Sequence, residues 1–385
     1  MLTFKRALMA AALFITLFYL LTRSHGPAAP PVPIEHEVYP NTDSLPESSE
    51  QSFQQSPKDS SSITNTPQTG EKVASNGGAG APAAQKPIQD VSKLSTYEKL
   101  AYQYPYDPES KFPAYIWQTW KYTPAETKFR FREEEASWTM HHPGFTHEVI
   151  TDDVAENIIK LFYASVPEVL EAYNAMPLPV LKADFFRYLI LLARGGVYSD
   201  IDTAALKSAV EWVPESVPRN TVGLVIGIEA DPDRPDWHDW YSRRIQFCQW
   251  TIQSKPGHPV LRDIVARITA ETLRKKRSGL LTGFLDKNVV EFTGPAIWTD
   301  TIFDYFNDQR YFDMSTSKGA IDWQNFTGME LPKKVGDVIV LPITSFSPGV
   351  QQMGAKEVSD PMAFVRHGFS GEHIYSIFSR SRLSD

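Results

Sequence analysis

The stretch 177–206 limits what this chain folds into more than any other part of it. Pro177 and Pro179 stand where a helix starts, because the first helical turn has no use for the N–H that proline lacks. Leu181, Phe185, Tyr188 and Leu192 recur at helical spacing and predict a buried face. Asp184 and Arg187, three apart, share a different face. Gly195-Gly196 ends the helix. Val197-Tyr198-Ser199-Asp200-Ile201-Asp202 then reads as a short strand, with Val197, Ser199 and Ile201 on one side and Tyr198, Asp200 and Asp202 on the other. Two carboxylates thus fall ~7 Å apart on one strand face. Like charges so placed beside a core destabilise a fold unless a cation offsets them. The chain has one cysteine, Cys248, so oxygen ligands point to Mg²⁺ or Mn²⁺ rather than Zn²⁺. An ion held by two carboxylates keeps open positions, and a diphosphate, which brings its own oxygens and charge, is its natural occupant.

Strand and helix signals alternate along 97–385, the pattern of an α/β chain. The aromatic and β-branched segment 114–120, between Pro113 and Pro124, reads as a first strand. A helix over 133–140 leads to a second strand over 146–150, and Asp152-Asp153 caps a further helix at the positive end of its dipole. The apolar run 222–228 is another strand. Open α/β sheets bind ligands at the carboxyl ends of their strands, which is where Asp200 and Asp202 stand. Asp-x-Asp alone is a weak signal, and Asp231-Pro232-Asp233 is a second copy; Pro232 and Pro235 make that copy a solvated loop. The first pair lies between two apolar runs.

Residues 1–96 differ in character. Lys5 and Arg6 precede an apolar run, 7–21, closed by Arg23. A spanning helix needs ~20 apolar residues, ~17 at the lower limit. The polar tail behind this run argues against a buried core helix, and Thr22-Arg23-Ser24-His25-Gly26 is a poor signal-peptide cleavage site. A signal-anchor fits best: 1–6 as cytoplasmic tail, 7–22 as the span, and the remainder lumenal, with positive charge inside. The segment 23–96, rich in Pro, Ser, Gln, Gly and Ala, buries too little apolar surface to offset its ordering entropy and reads as a disordered stem. The segment 97–385 reads as the lumenal catalytic domain. With 46 acidic residues against 38 Lys and Arg, a formal charge of −8, the chain lacks the basic footprint of a nucleic-acid binder.

The run 181–203, with Asp184, Arg187, Gly195-Gly196 and Asp200-Ile201-Asp202, resembles the DXD-motif region of glycosyltransferase family 32. More narrowly it is similar to the fungal initiation-specific α-1,6-mannosyltransferases. Ile116-Trp117-Gln118-Thr119-Trp120-Lys121 and Phe292-Thr293-Gly294-Pro295-Ala296-Ile297-Trp298-Thr299-Asp300 match in the same order, and the likeness spans roughly 111–373. The resemblance implies a GT-A-type fold, a Rossmann-like mixed sheet flanked by helices, binding a metal-bound nucleotide sugar. It implies GDP-mannose as donor and a high-mannose N-glycan as acceptor, joined in α-1,6 linkage with retained configuration at outer-chain initiation. It also implies Mn²⁺ or Mg²⁺ as cofactor, a single-pass type II protein of the Golgi membrane, and a Golgi mannosyltransferase complex as partner.

By the same resemblance Asp202, and Asp200 directly or through water, bind the cation, and Asp184 and Arg187 grip the sugar and ribose-phosphate region of the donor. Trp117, Gln118 and Thr119 line the nucleotide pocket, and Tyr198 neighbours the donor. His367, in Val365-Arg366-His367-Gly368, is a third metal ligand, with Arg366 near phosphate; the residues that follow, Gly371-Glu372-His373-Ile374, depart from the Ser-Trp pair of the family. Asp300 and Thr293-Gly294-Pro295 form a turn near the acceptor, whose hydroxyls Glu229 and Asp231 touch. Asp200, Asp202 and Arg187 carry catalysis by stabilising charge on departing GDP. The residues alone allow plainer readings: Trp117 as core packing, and Asp184–Arg187 as a helix-surface ion pair worth little.

No Walker-type loop, G-x-G-x-x-G or His-Glu-x-x-His motif is present. Asn325-Phe326-Thr327 is a glycosylation sequon, Arg274-Lys275-Lys276-Arg277 a solvated helix end, and His141-His142 a loop feature. Two other classes stay open. One is a non-catalytic or differently specific subunit of a mannosyltransferase complex. The other is a metal-dependent phosphate-ester hydrolase, which lacks here the extra His and Asp ligands of a two-metal site.

Overall fold

Leu181, Phe185, Tyr188 and Leu192 are fully buried in a computed structural model of the chain, which describes residues 93–281, 286–313, 315 and 319–369. The predicted cytoplasmic tail over 1–6, anchor over 7–22 and most of the stem over 23–96 lie outside the described residues. Folded chain begins ahead of the expected boundary at 97: Ser95 caps helix α1 (Thr96–Gln103) reciprocally with Glu98. Among the described residues no helix is long and apolar enough to cross a membrane.

Among the described residues ten strands follow: β1 (Tyr115–Thr119), β2 (Thr146–Ile150), β3 (Gly196–Ser199), β4 (Thr203–Ala205), β5 (Leu224–Ala230), β6 (Gln246–Phe247), β7 (Thr251–Ser254), β8 (Lys333–Val335), β9 (Val338–Leu341) and β10 (Val365–His367). Eight of them form one sheet in the order β2-β1-β3-β7-β5-β9-β8, with β6 added on β5, while β4 pairs only with β10. β1 runs parallel to β2 and β3, and β5 to β9. β7 lies antiparallel between β3 and β5, and β8 lies antiparallel on β9, so the sheet is mixed. The carboxyl ends of β1, β2, β3, β5 and β9 therefore share one edge.

Between β1 and β2 the chain forms helix α2 (Arg132–His141); between β2 and β3 it forms α3 (Asp152–Phe162), α4 (Pro167–Ala175) and α5 (Pro179–Arg194). The chain thus leaves β1 for a neighbour on one side and returns to a neighbour on the other. In an open α/β sheet that reversal opens a crevice at the carboxyl ends of the two strands, here β1 and β3.

Alternation along the strands builds a core on each face. Trp117, Tyr198, Leu224, Ile226 and Ile252 join one cluster, with α5 and helix α6 (Pro259–Arg277). Ile116, Val197, Val225, Ile339 and Leu341 join the other, with Trp138 and Trp212. Burial on both faces explains why these strands read as nearly continuous apolar runs.

The junction of α5 and β3 is tight. Gly195 and Gly196 have φ of +62° and +95°, and a Cβ on Gly196 would lie 2.7 Å from the Tyr115 carbonyl oxygen. Gly196→Ala is expected to cost about 2–3 kcal/mol in denaturant unfolding, since the clash is with backbone and the conformation disfavours any side chain. An unchanged midpoint would show that the junction yields more easily than its contacts suggest.

Candidate functional site

The aspartates stand not along a strand but in a turn. β3 ends at Ser199, because the Thr203 N–H and hydroxyl both donate to the Asp200 carbonyl, at 3.1 and 2.6 Å, and pull the chain round before β4. Alternating residues gave no sign of that i→i+3 closure, so the expected ~7 Å spacing on one face does not hold. The turn brings ligand atoms of Asp200, Asp202 and His367 all within 4.8 Å of one another.

His367 arrives from far along the chain. β10 pairs antiparallel with β4, setting His367 opposite Thr203, and the Gly368 N–H donates to the Asp202 carbonyl at 2.7 Å. The imidazole lies flat on Trp250, centroids 4.4 Å apart, with Nε2 3.2 Å from Asp202 Oδ1. Two carboxylates and an imidazole form a donor set that suits Mn²⁺ or Mg²⁺, and the crowding of the two carboxylates is what such a charge relieves. Burial raises the Asp200 carboxyl and Asp202 adds to the rise, while Arg187 opposes it. Arg366 alternates to the outer face of β10 and is exposed.

Arg187 reaches the cluster from α5. Its guanidinium donates to Asp200 Oδ1 at 3.2 Å and pairs with Asp184 Oδ1 at 3.0 Å. It also lies over the Tyr198 ring, and the Tyr198 hydroxyl donates to Asp200 at 2.9 Å. The pair is no surface ion pair: Asp184 and Arg187 are 3% and 5% exposed, because α5 is packed on nearly all sides. Burial pushes the Asp184 carboxyl up to about 6, while Arg187 and the Thr293 hydroxyl, 2.8 Å away, pull it down. Burial alone would lower the Arg187 guanidinium, but Asp200, Tyr198 and Asp184 outweigh it and hold the charge firmly in place.

Trp117, Gln118 and Thr119, expected to line one pocket, part company. Trp117 packs in the core and donates to the Gly195 carbonyl at 2.9 Å; Gln118 is buried and donates to the Asp200 carbonyl at 3.1 Å, supporting the turn from beneath. Thr119, at the carboxyl end of β1, meets the Tyr198 hydroxyl at 3.2 Å and faces a cavity.

The acceptor-side expectations divide similarly. Glu229, at the end of β5, feels the charges of His367, Arg187 and Asp200, and burial raises its carboxyl. Asp231 instead clamps a loop, accepting from Arg244, Thr327 and the Gly328 N–H. Asp300, on helix α7 (Pro295–Phe306), is engaged by both arms of Arg243. Thr293 donates to Asp184 through its hydroxyl. Sequence reading missed Gln249, which joins Tyr188 to Asp184; its one signal was a polar residue set among the apolar Phe247, Cys248 and Trp250. His142, expected in a loop, is buried and takes the Ala209 N–H.

Residues 129–218 match the model of the glycosyltransferase sugar-binding region containing the DXD motif. The initiation-specific α-1,6-mannosyltransferase of Candida albicans is 51% identical over 299 residues, covering 74% of this chain and 77% of that one. The chain belongs to this mannosyltransferase family. Two further members show the same relation: the Schizosaccharomyces pombe protein of that name is 47% identical over 74% of this chain and 68% of its own, and the Saccharomyces cerevisiae one 35% identical over 71% and 80%. The region matched by the model holds Asp184, Arg187, Asp200 and Asp202, whereas Thr293 and His367 lie beyond it. In this chain the tertiary contacts, not the motif, bring those two to the cluster.

Proposed function

We propose that the chain is a metal-dependent, retaining glycosyltransferase of GT-A type that moves mannose from GDP-mannose in α-1,6 linkage onto the core of an N-glycan, initiating its outer chain. Family membership, with the Asp200–Asp202–His367 cluster and its buried arginine intact, carries this reading. Asp200, Asp202 and His367 hold Mn²⁺ or Mg²⁺, which when bound supplies positive charge to a diphosphate leaving group. Arg187 adds a fixed, desolvated charge beside it, worth more in a buried site than in water. Asp184, anchored by Thr293 and Gln249, is placed to accept from donor hydroxyls. The attacking hydroxyl enters on the leaving-group face and gives its proton to the departing phosphate, so no protein nucleophile takes part. The apolar run 7–21 behind Lys5 and Arg6 supports a type II anchor in the Golgi membrane, where a mannosyltransferase complex is a fitting partner.

The purified full chain with Mn²⁺, offered a panel of GDP- and UDP-sugars and a high-mannose N-glycan, is expected to transfer mannose alone. The new linkage should be sensitive to α-1,6-mannosidase. Transfer from another donor, or only to free mannosides, would overturn the donor or the acceptor assignment respectively.

A further inference from the structure

We propose that Trp250 is the positioning residue of the cation cluster: its indole face holds the His367 imidazole at the distance from Asp200 and Asp202 at which the three close on one ion. The inference rests on the cation reading above and goes beyond it, because Trp250 offers the ion no ligand of its own.

Trp250 touches both of the segments that carry the ligands. It directly precedes β7, whose first residue, Thr251, is in register with Ser199, the last residue of β3. Its carbonyl therefore meets the turn, accepting from the Asp200 N–H at 2.9 Å. Its ring meets β10 instead, stacked on His367 with 4.4 Å between centroids and 18° between planes. The other ties between these segments run through the backbone, in the pairing of β4 with β10 and the Gly368 N–H on the Asp202 carbonyl. Such bonds place the main chain of His367 and leave its ring free to turn about two side-chain torsions.

A metal-bound imidazole is ordinarily oriented through its second nitrogen, which donates to a carboxylate, a carbonyl or a water. Here Nε2 faces Asp202, and Nδ1 is buried with no hydrogen-bond partner among the described residues. Stacking does the orienting. The indole is itself held in place, buried and packed against Phe346 at 6.2 Å. It acts as a face and not as a donor, for its own N–H is buried and makes no hydrogen bond among the described residues. Phe369 is the other ring against His367, but it is half-buried and tilted by 55°, so the flat contact is that of Trp250. The negative face of an indole favours an electron-poor partner, and an imidazole that shares the charge of a cation is one.

Mn²⁺ affinity of the purified full chain, read from the free-ion resonance signal, tests this in a double-variant cycle. Trp250→Met keeps an apolar side chain without a ring face. It is expected to weaken Mn²⁺ binding about ten- to a hundredfold, the loss usual when an outer partner of a metal ligand is removed. Trp250→Phe, with a smaller face, should lose about threefold. Transfer by the Met variant should be slow at limiting Mn²⁺ and return close to the wild-type kcat at saturating Mn²⁺. On a His367→Ala background neither change should weaken Mn²⁺ further, since Trp250 acts through that ring. Trp212→Met, at a similarly buried tryptophan that packs on Trp138 and Phe346, should lower the unfolding midpoint and leave Mn²⁺ affinity unchanged. Wild-type Mn²⁺ affinity in Trp250→Met overturns the inference. So does a loss that persists on the His367→Ala background, or an equal loss in Trp212→Met. Should the Met variant not fold, the Phe variant is judged by the same results. A His367→Ala chain that binds Mn²⁺ as the wild type does overturns the cation reading of His367 itself.

Discussion

Asp202→Asn is expected to lower kcat/KM for mannosyl transfer by about 10³-fold or more, with the unfolding midpoint nearly unchanged. The amide preserves the shape of the side chain, and the Gly368 N–H bonds the Asp202 backbone carbonyl, so β10 stays paired with β4. What changes is charge at a place where two carboxylates and an imidazole meet. For a residue whose work is to hold a cation, neutralising it in metal-free protein relieves repulsion with Asp200 and does not loosen the fold. Transfer rates, Mn²⁺ binding followed by the free-ion resonance signal, and urea unfolding separate the possibilities. A variant within tenfold of wild type in rate would sink the assignment of Asp202 as a cation ligand.

Arg187→Met should do damage of both kinds. The guanidinium answers Asp184 and Asp200 at once, and removing it leaves the buried Asp184 and the part-buried Asp200 without their counter-charge. Breaking a buried pair from one side costs about 3–5 kcal/mol, and losing a charge aimed at a leaving diphosphate costs about 10²–10³ in rate. Adding Asp184→Asn is expected to restore much of the stability, because the unpaired charge goes, but none of the rate. If the double variant regained activity, Arg187 would be a structural partner of Asp184 and no more. If Arg187→Met were as stable as wild type, the buried network would be far better hydrated than its exposure indicates.

Legibility differed from residue to residue along the chain. The second strand was readable over 146–150 residue for residue, and α5 to its Gly195 cap, because both carry a periodicity fixed by which side chains meet the core. Asp184 and Arg187 were singled out by spacing, yet their burial was not readable. Spacing tells which residues share a helix face, not whether that face meets solvent. Trp117 and Gln118 stood next to Thr119 in the same motif, and nothing local told that the first packs in the core against Gly195, the second supports the turn from below and the third borders open space.

Sequence alone determined the α/β class, the helix–glycine–strand junction and the presence of a paired-aspartate segment at a strand's carboxyl end, since each depends on contacts between near neighbours in the chain. Tertiary structure alone decided that Thr293 reaches Asp184 across 109 residues and that His367 reaches Asp202 across 165. Such contacts form only when distant strands pair and helices pack, and a side chain brought in from that far leaves no periodic mark on the residues around it.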